Sequence, residues 1–262
     1  MPYFDSHAHY NDARFAAEYP GGAPAALAAA RDAGVEYIVN VGTNLQTSRE
    51  SLALADTYSF VYAAAGLHPT DALDIPDERL NDVFDDLRTL LLHPKCRALG
   101  EIGLDYHWDP HGAERQKRIF DVQLSIAEET GLPAVIHDRD AHGDCFDILR
   151  AHPNVRGILH SFSGSAEMAR QLAARGWYIS FSGPITYKNA HKVREAAAAV
   201  PHELLLIETD SPYLPPVPHR GDLNYSGYLP FIAAALADAA GITPEEAADI
   251  TYRNAQTVFG IH

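Results

Sequence analysis

A chain of 262 residues is long enough for one large domain and short for two well-formed ones. About half of it, 47%, is hydrophobic and 21% is charged, an ordinary globular balance, and no apolar run approaches the roughly 20 residues that a membrane-crossing helix needs. Twenty basic against 35 acidic residues leave a net charge of −15, which excludes a protein that coats nucleic acid by neutralising many phosphates. Any nucleic-acid chemistry must therefore rest on a local pocket and on bound cations. The first residues carry neither a basic n-region nor an apolar h-region, and the two cysteines, Cys96 and Cys145, form no CxxC pair. These features exclude a disulfide scaffold or a thiolate zinc site, and a reducing, cytoplasmic setting is expected.

Short apolar runs alternate with longer segments of helical pattern. The runs predict strands over Tyr3–Ser6, Tyr37–Val41, Val61–Ala65, Arg97–Ile102, Ala134–His137, Gly157–His160, Tyr178–Phe181 and Leu204–Glu208. Helical segments fall between them at 24–34, 114–131 and 187–200, with further helices over about 225–240 and after Thr243. Gly34, Gly131 and Gly176 stand where glycines end helices, and Thr243-Pro244-Glu245-Glu246 reads as an N-cap, an N1 proline and an acidic first turn. The strands lack alternating polarity, as in a parallel sheet covered on both faces. Eight βα units without a linker or repeat predict one α/β domain over 1–262, a (β/α)8 TIM barrel, for which about 250 residues is typical. A doubly wound open sheet is the alternative, weakened because no Gly-rich phosphate loop follows the first strand.

Polar residues cluster at the carboxyl ends of the predicted strands: the first ends in His7 and His9, the third runs into Gly66-Leu67-His68-Pro69 and the fourth into Gly100-Glu101-Ile102-Gly103-Leu104-Asp105. The fifth ends at His137-Asp138-Arg139-Asp140, the sixth at His160 and the eighth at Glu208-Thr209-Asp210. In a barrel those ends build the active site. Residues two apart in a strand share a face, so His7 and His9 can grip one cation. Imidazole and carboxylate suit zinc, and carboxylate also suits magnesium or manganese. His7, His9, Glu101, His137, His160 and Asp210 make six candidate ligands, too many for one tetrahedral ion and suited to two ions sharing a carboxylate. The expected arrangement has one metal on His7, His9 and Asp210, a second on His137 and His160, and Glu101 as the bridge. Two cations about 3.5–4 Å apart can clamp the attacking and leaving oxygens of a phosphoryl displacement. Taken singly, each residue has a plainer reading: an HxH pair in a polar turn, a hydrogen-bonded histidine, a Glu101 ion pair, or an Asp210 turn cap before Ser211-Pro212. All six at matching points of a βα repeat favour the metal reading.

The stretches DSHAHYND, GLHP, GEIGLDYH, FDVQL with HDRDA, HSFSG, YKNA with LLIETDSPYL, and NAQTVFG resemble the TatD family of metal-dependent hydrolases, within the amidohydrolase-type barrels, in order and along nearly the whole chain. The resemblance implies a (β/α)8 fold and a divalent-metal-dependent deoxyribonuclease, often a 3′→5′ exonuclease, with DNA at a single-stranded end as partner. It maps the family's ligands onto the same six residues and places Asp210 beside the nucleophilic water, as general base as well as ligand. His68 matches a rim histidine that contacts phosphate or assists proton transfer, so the implied catalytic set is Asp210, Glu101 and His68. The plainer role for His68 is to shape the turn before Pro69.

Three positions depart from the family pattern. Ser161 replaces the cysteine of HCFSG, Thr70 stands where a second histidine often follows GLHP, and the usual RGKRNEP becomes Arg220-Gly221-Asp222-Leu223-Asn224-Tyr225-Ser226, with a basic position and a glutamate-proline pair lost. The last departure bears on substrate choice rather than on metals. Tyr106 or Trp108 can stack on a base, a contact worth about 1–3 kcal/mol, and Arg139, Lys188 and Arg220 are candidate phosphate contacts. Each has a plainer reading, as loop packing or as a surface ion pair. On the same metals and fold, hydrolysis of an ester, lactone or amide, including deacylation of D-aminoacyl-tRNA, is the rival activity. A non-catalytic metal-binding protein is a third reading, disfavoured because all six ligands are present.

Overall fold

The computed structural model describes residues 1–108 and 110–262. Eight parallel strands, hydrogen-bonded in chain order with helices between them, make a (β/α)8 barrel: β1 (Tyr3–Ala8), β2 (Val35–Val41), β3 (Val61–Ala65), β4 (Cys96–Asp105), β5 (Ala134–Arg139), β6 (Gly157–Leu159), β7 (Tyr178–Phe181) and β8 (Leu205–Ile207). The chain divides into two compact units, residues 1–40 with 160–262, and residues 41–159.

In the first unit β1 pairs with β2, and β7 with β8. All six residues of β1 are buried, which is why the run carries no alternation. Beyond β8 the chain returns beside β1: Asp210 N donates to His7 O at 2.9 Å and His9 N to Ser211 O at 2.7 Å. Phe4 stacks on Phe259 of the last helix at 5.8 Å, so the C-terminal helix covers the first strand. That helix, Pro244–Phe259, starts with the expected cap: the Thr243 side chain accepts from Glu246 N while the Glu246 carboxylate accepts from Thr243 N.

In the second unit β3 to β6 pair in sequence. The helix Ala113–Thr130 buries Gln116, Ile119, Phe120, Gln123, Leu124, Ile126 and Ala127 on one face, and Gly131 ends it with φ 68°. Two of these are glutamines that clamp strand-end backbone. Gln116 bonds both the N–H and the C=O of Asp105, at 2.8 and 2.9 Å, and Gln123 does the same for Leu67, at 2.9 and 3.1 Å.

Several predicted boundaries shift. β4 runs on to Asp105 instead of ending at Ile102, and β6 stops at Leu159, so His160 lies in the turn beyond it. The helix expected over 187–200 is His191–Ala199, preceded by a short 3-10 turn at Gly183–Thr186, and the one expected over 225–240 is Leu229–Ala240. Both helices start later than expected, after turn residues 187–190 in one case and the 3-10 turn Ser226–Tyr228 in the other. Lys188 consequently sits in a loop.

Candidate metal centre

The first unit assembles four of the six expected ligands. His7 is fully buried inside β1 and His9 is just past its end; their Nε2 atoms lie 3.0 Å apart. Asp210 Oδ1 lies 3.4 Å from His9 Nε2 and 3.8 Å from His7 Nε2. His160 stacks its ring on that of His7 at 4.1 Å. Asp210 and Ser161 hold left-handed backbones, with φ 55° and 41°, at the turns that close the eighth and sixth repeats. Such conformations cost of order 1–3 kcal/mol in non-glycine residues and gather where geometry is functional. Burial alone would raise the Asp210 carboxyl, but the hydrogen bond with His9 and the neighbouring His7 and His160 outweigh it and hold the group below its ordinary value.

Asp5, which opens the HxH stretch, is fully buried but serves a different end. Its carboxylate accepts from Thr209 N at 2.9 Å, Thr209 Oγ1 at 2.5 Å and Ser226 Oγ at 2.6 Å, tying the loop that carries Asp210 to the first strand. The divergent 220–226 segment contributes here: Ser226 is one of those donors, and buried Asn224 donates to Thr209 O at 2.8 Å and Tyr213 O at 2.6 Å. That segment braces the loop carrying Asp210.

The second unit assembles the other two expected ligands together with His68. His137 Nδ1 lies 2.8 Å from Glu101 Oε1, and His68 Nε2 lies 3.7 Å from the same oxygen. Thr70, which stands in place of the family's second histidine, faces His68 Nδ1 through Oγ1 at 2.7 Å and so orients the ring. Gly103 sits beside His137, and a Cβ there would lie 2.0 Å from the His137 carbonyl oxygen on a backbone with φ 140°, so only glycine fits. Asp105 Oδ2 lies 3.1 Å from His137 Nε2. Burial would raise this carboxyl, but the His137 contact and the Trp108 and His107 N–H groups bring it down to about 2.

Imidazole nitrogens converging on carboxylate oxygens fit a divalent cation. Within the first unit the donor atoms of His7, His160 and Asp210 lie within 4.8 Å of one another, and within the second so do those of His68, Asp105 and His137. Facing Nε2 atoms, as in His7 and His9, cannot both be protonated donors to each other, whereas a cation satisfies both lone pairs.

A family model described as TatD related DNase matches residues 4–260. The chain belongs to the TatD family. Among its TatD relatives, the uncharacterised metal-dependent hydrolase YabD of Bacillus subtilis is 41% identical over 261 residues, covering 99% of each chain. The uncharacterised metal-dependent hydrolase YcfH of Escherichia coli is 39% identical over 240 residues, covering 90% of this chain and 87% of its own. The crystal structure of YjjV, a TatD homologue from Escherichia coli, superposes with a TM-score of 0.90 at 32% identity, covering 99% of this chain and 98% of the other. The TatD fold and metal-dependent hydrolase chemistry are thereby this chain's own. Among the described residues no helix is long and apolar enough to cross a membrane.

The expected substrate contacts are placed less uniformly. Tyr106 is half-buried and its hydroxyl donates to Asp144 at 2.7 Å. Arg139 is exposed with its guanidinium 5.4 Å above the ring of Trp108, and Arg220 is exposed 4.3 Å above the ring of Tyr187. Lys188 is exposed. Asp105 and Glu208 stand inside strand-end motifs where the sequence assigns them no role; their placement one contact behind a histidine is visible only in three dimensions.

Proposed function

We propose that this TatD protein is a deoxyribonuclease that removes nucleotides from the 3′ end of single-stranded DNA, using two divalent cations. The convergence of His7, His9, His160 and Asp210 at the carboxyl ends of their strands supports it most directly. In the proposed ligand set, His7, His9 and Asp210 take one cation, His137 and His160 take the other, and Glu101 is shared. Magnesium, manganese and zinc all suit these donors. Bound there, the cations supply Lewis acidity that neutralises phosphate charge and makes water a better nucleophile.

Asp210 receives the proton of the attacking water. Its lowered acidity range keeps it ionised at neutral pH, and its φ of 55° aims the carboxylate among the histidines. His68, oriented by Thr70, contacts the phosphate or delivers a proton to the leaving oxygen. Tyr106, Arg139, Lys188 and Arg220 hold the strand. In a chain of net charge −15 these few cations confine attraction to the strand end, so binding is weak and strongly salt-dependent. A cytoplasmic setting suits the two cysteines, both free and buried.

A rival reading keeps the ligands and changes the bond to a carbonyl ester, including a D-aminoacyl-tRNA. What favours it is the 220–226 segment, where Asn224 and Ser226 are committed to bracing Asp5 and the Asp210 loop and Arg220 is stacked on Tyr187. Degradation of 3′- and 5′-labelled oligonucleotides in chelator, then with each metal restored, separates the two. Metal-restored stepwise loss from the 3′ end supports the nuclease; inertness on every phosphodiester with turnover of esters overturns it.

A further inference from the structure

Two of the histidines carry a buried carboxylate on one ring nitrogen. Asp105 is 1% exposed, and each of its carboxylate oxygens has a separate task. Oδ1 accepts the backbone N–H groups of His107 at 2.9 Å and Trp108 at 3.0 Å, while Oδ2 faces His137 Nε2 at 3.1 Å. Gln116 clamps both the backbone N–H and C=O of Asp105, fixing the point from which the carboxylate extends. The opposite nitrogen of His137, Nδ1, is the one that faces Glu101 at 2.8 Å.

Glu208 is fully buried. Its Oε1 accepts from Ser161 N at 2.8 Å and faces His160 Nδ1 at 3.2 Å, while Oε2 is buried with no hydrogen-bond partner among the described residues. A buried carboxylate with one unsatisfied oxygen is costly unless positive charge lies nearby. A cation held by His160 would supply that charge, with His160 Nδ1–H donating to Glu208.

We propose that Asp105 and Glu208 are positioning residues, fixing His137 and His160 in the tautomers that leave Nδ1 of His137 and Nε2 of His160 to bind divalent cations. The inference rests on the assignment of His137 and His160 as ligands. A carboxylate behind a ligating imidazole sets its tautomer, locks its ring and raises its basicity, and losing such a partner commonly costs 10–100-fold in metal affinity. Asp105 lies close enough to His68 and His137 to compete for a ligand role itself, but the two N–H groups held by Oδ1 and the ring nitrogen facing Oδ2 account for both of its oxygens.

Chelator-stripped protein titrated calorimetrically with manganese tests this, with Asp105→Asn, Glu208→Gln, His137→Ala and His160→Ala in parallel. Asp105→Asn and Glu208→Gln are expected to bind the same number of ions with about 10–100-fold weaker affinity, while the alanine variants lose an equivalent. Unchanged affinity in Asp105→Asn and Glu208→Gln overturns the proposal. Loss of a whole equivalent in Asp105→Asn makes that residue a ligand and overturns it as well. Full stoichiometry in His137→Ala and His160→Ala would instead remove the ligand assignment beneath it. Nitrogen-15 spectra of the metal-free wild type give a reading that needs no variant to fold: a proton on His137 Nε2 and on His160 Nδ1 is expected, and the opposite tautomers overturn the proposal.

Discussion

His9 Nε2 lies 3.4 Å from Asp210 Oδ1, which joins the loop after the first strand to the turn after the eighth in one donor set. The contact depends on backbone bonds on either side of it, His9 N to Ser211 O and Asp210 N to His7 O, so the seam between the first and last strands and this histidine–carboxylate cluster are the same structure. Substitutions here act on donors whose positions are set by strand pairing, and their effects on metal and on fold can be separated.

Replacing Asp210 by Asn keeps size and most hydrogen bonding but removes the base. Turnover at saturating metal is expected to fall about 10²–10⁴-fold, with the circular dichroism spectrum unchanged. Activity within a few-fold of wild type would refute the role of general base.

His7→Ala and His9→Ala each remove one of two nitrogens that face each other at 3.0 Å. Metal content after dialysis against a weak chelator should drop by about one ion per chain in either variant. Full retention in both would place the first cation elsewhere.

Gly103→Ala sets a methyl against the His137 carbonyl on a backbone that L-residues avoid. The substitution is expected to destabilise by about 2 kcal/mol or more, read as a lower urea midpoint for the metal-free protein. An unchanged midpoint would mean that β4 and β5 can part to accommodate it.

Burial pushes the Cys96 thiol up to about 11 and that of Cys145 well above its ordinary value. Both are therefore neutral thiols at pH 8, and an aromatic disulfide reagent should find no fast-reacting group in the native protein and two after denaturation. Because the folded value of Cys96 exceeds the ordinary 9.0, its contribution to stability is present below pH 9 and lost as pH rises through about 11. Thermal midpoints between pH 8 and 11 should fall less steeply in Cys96→Ala. Rapid labelling of native protein at pH 8 would contradict the burial.

Arg220 stacks on Tyr187 from an exposed loop and is not among the metal donors. If it holds the strand, Arg220→Ala should raise KM for an oligonucleotide several-fold, flatten the salt dependence and leave kcat nearly unchanged. Unaltered KM and salt slope would assign the arginine to loop packing.

The barrel was legible in the sequence because parallel strands buried on both faces read as bare apolar runs, and β3 and β7 match their predicted spans to the residue. The histidine and carboxylate positions stood out in the sequence because polar residues recur at strand ends. Short turns were not: Tyr187, Lys188, Asn189 and Ala190 run into the helix with no glycine or proline to mark its start, and only the backbone separates them. Asp5 shows another limit. It lies within DSHAHYND, yet its donors, Thr209 and Ser226, lie at the far end of the chain, beyond the reach of any local pattern. The divergent 220–226 segment, read from sequence as a matter of substrate choice, turns out to brace the Asp210 loop through Asn224 and Ser226.

The seam between the first and last strands also sets an order of events during synthesis. His7 and His9 leave the ribosome early, whereas Asp210 and the Ser211 carbonyl that receives the His9 N–H follow some two hundred residues later. At translation rates of about 5–20 residues per second, the two histidines wait on the order of ten seconds or more for their carboxylate. A nascent chain thus holds His7 and His9 without Asp210, and this cluster is complete only once the turn after β8 has been made.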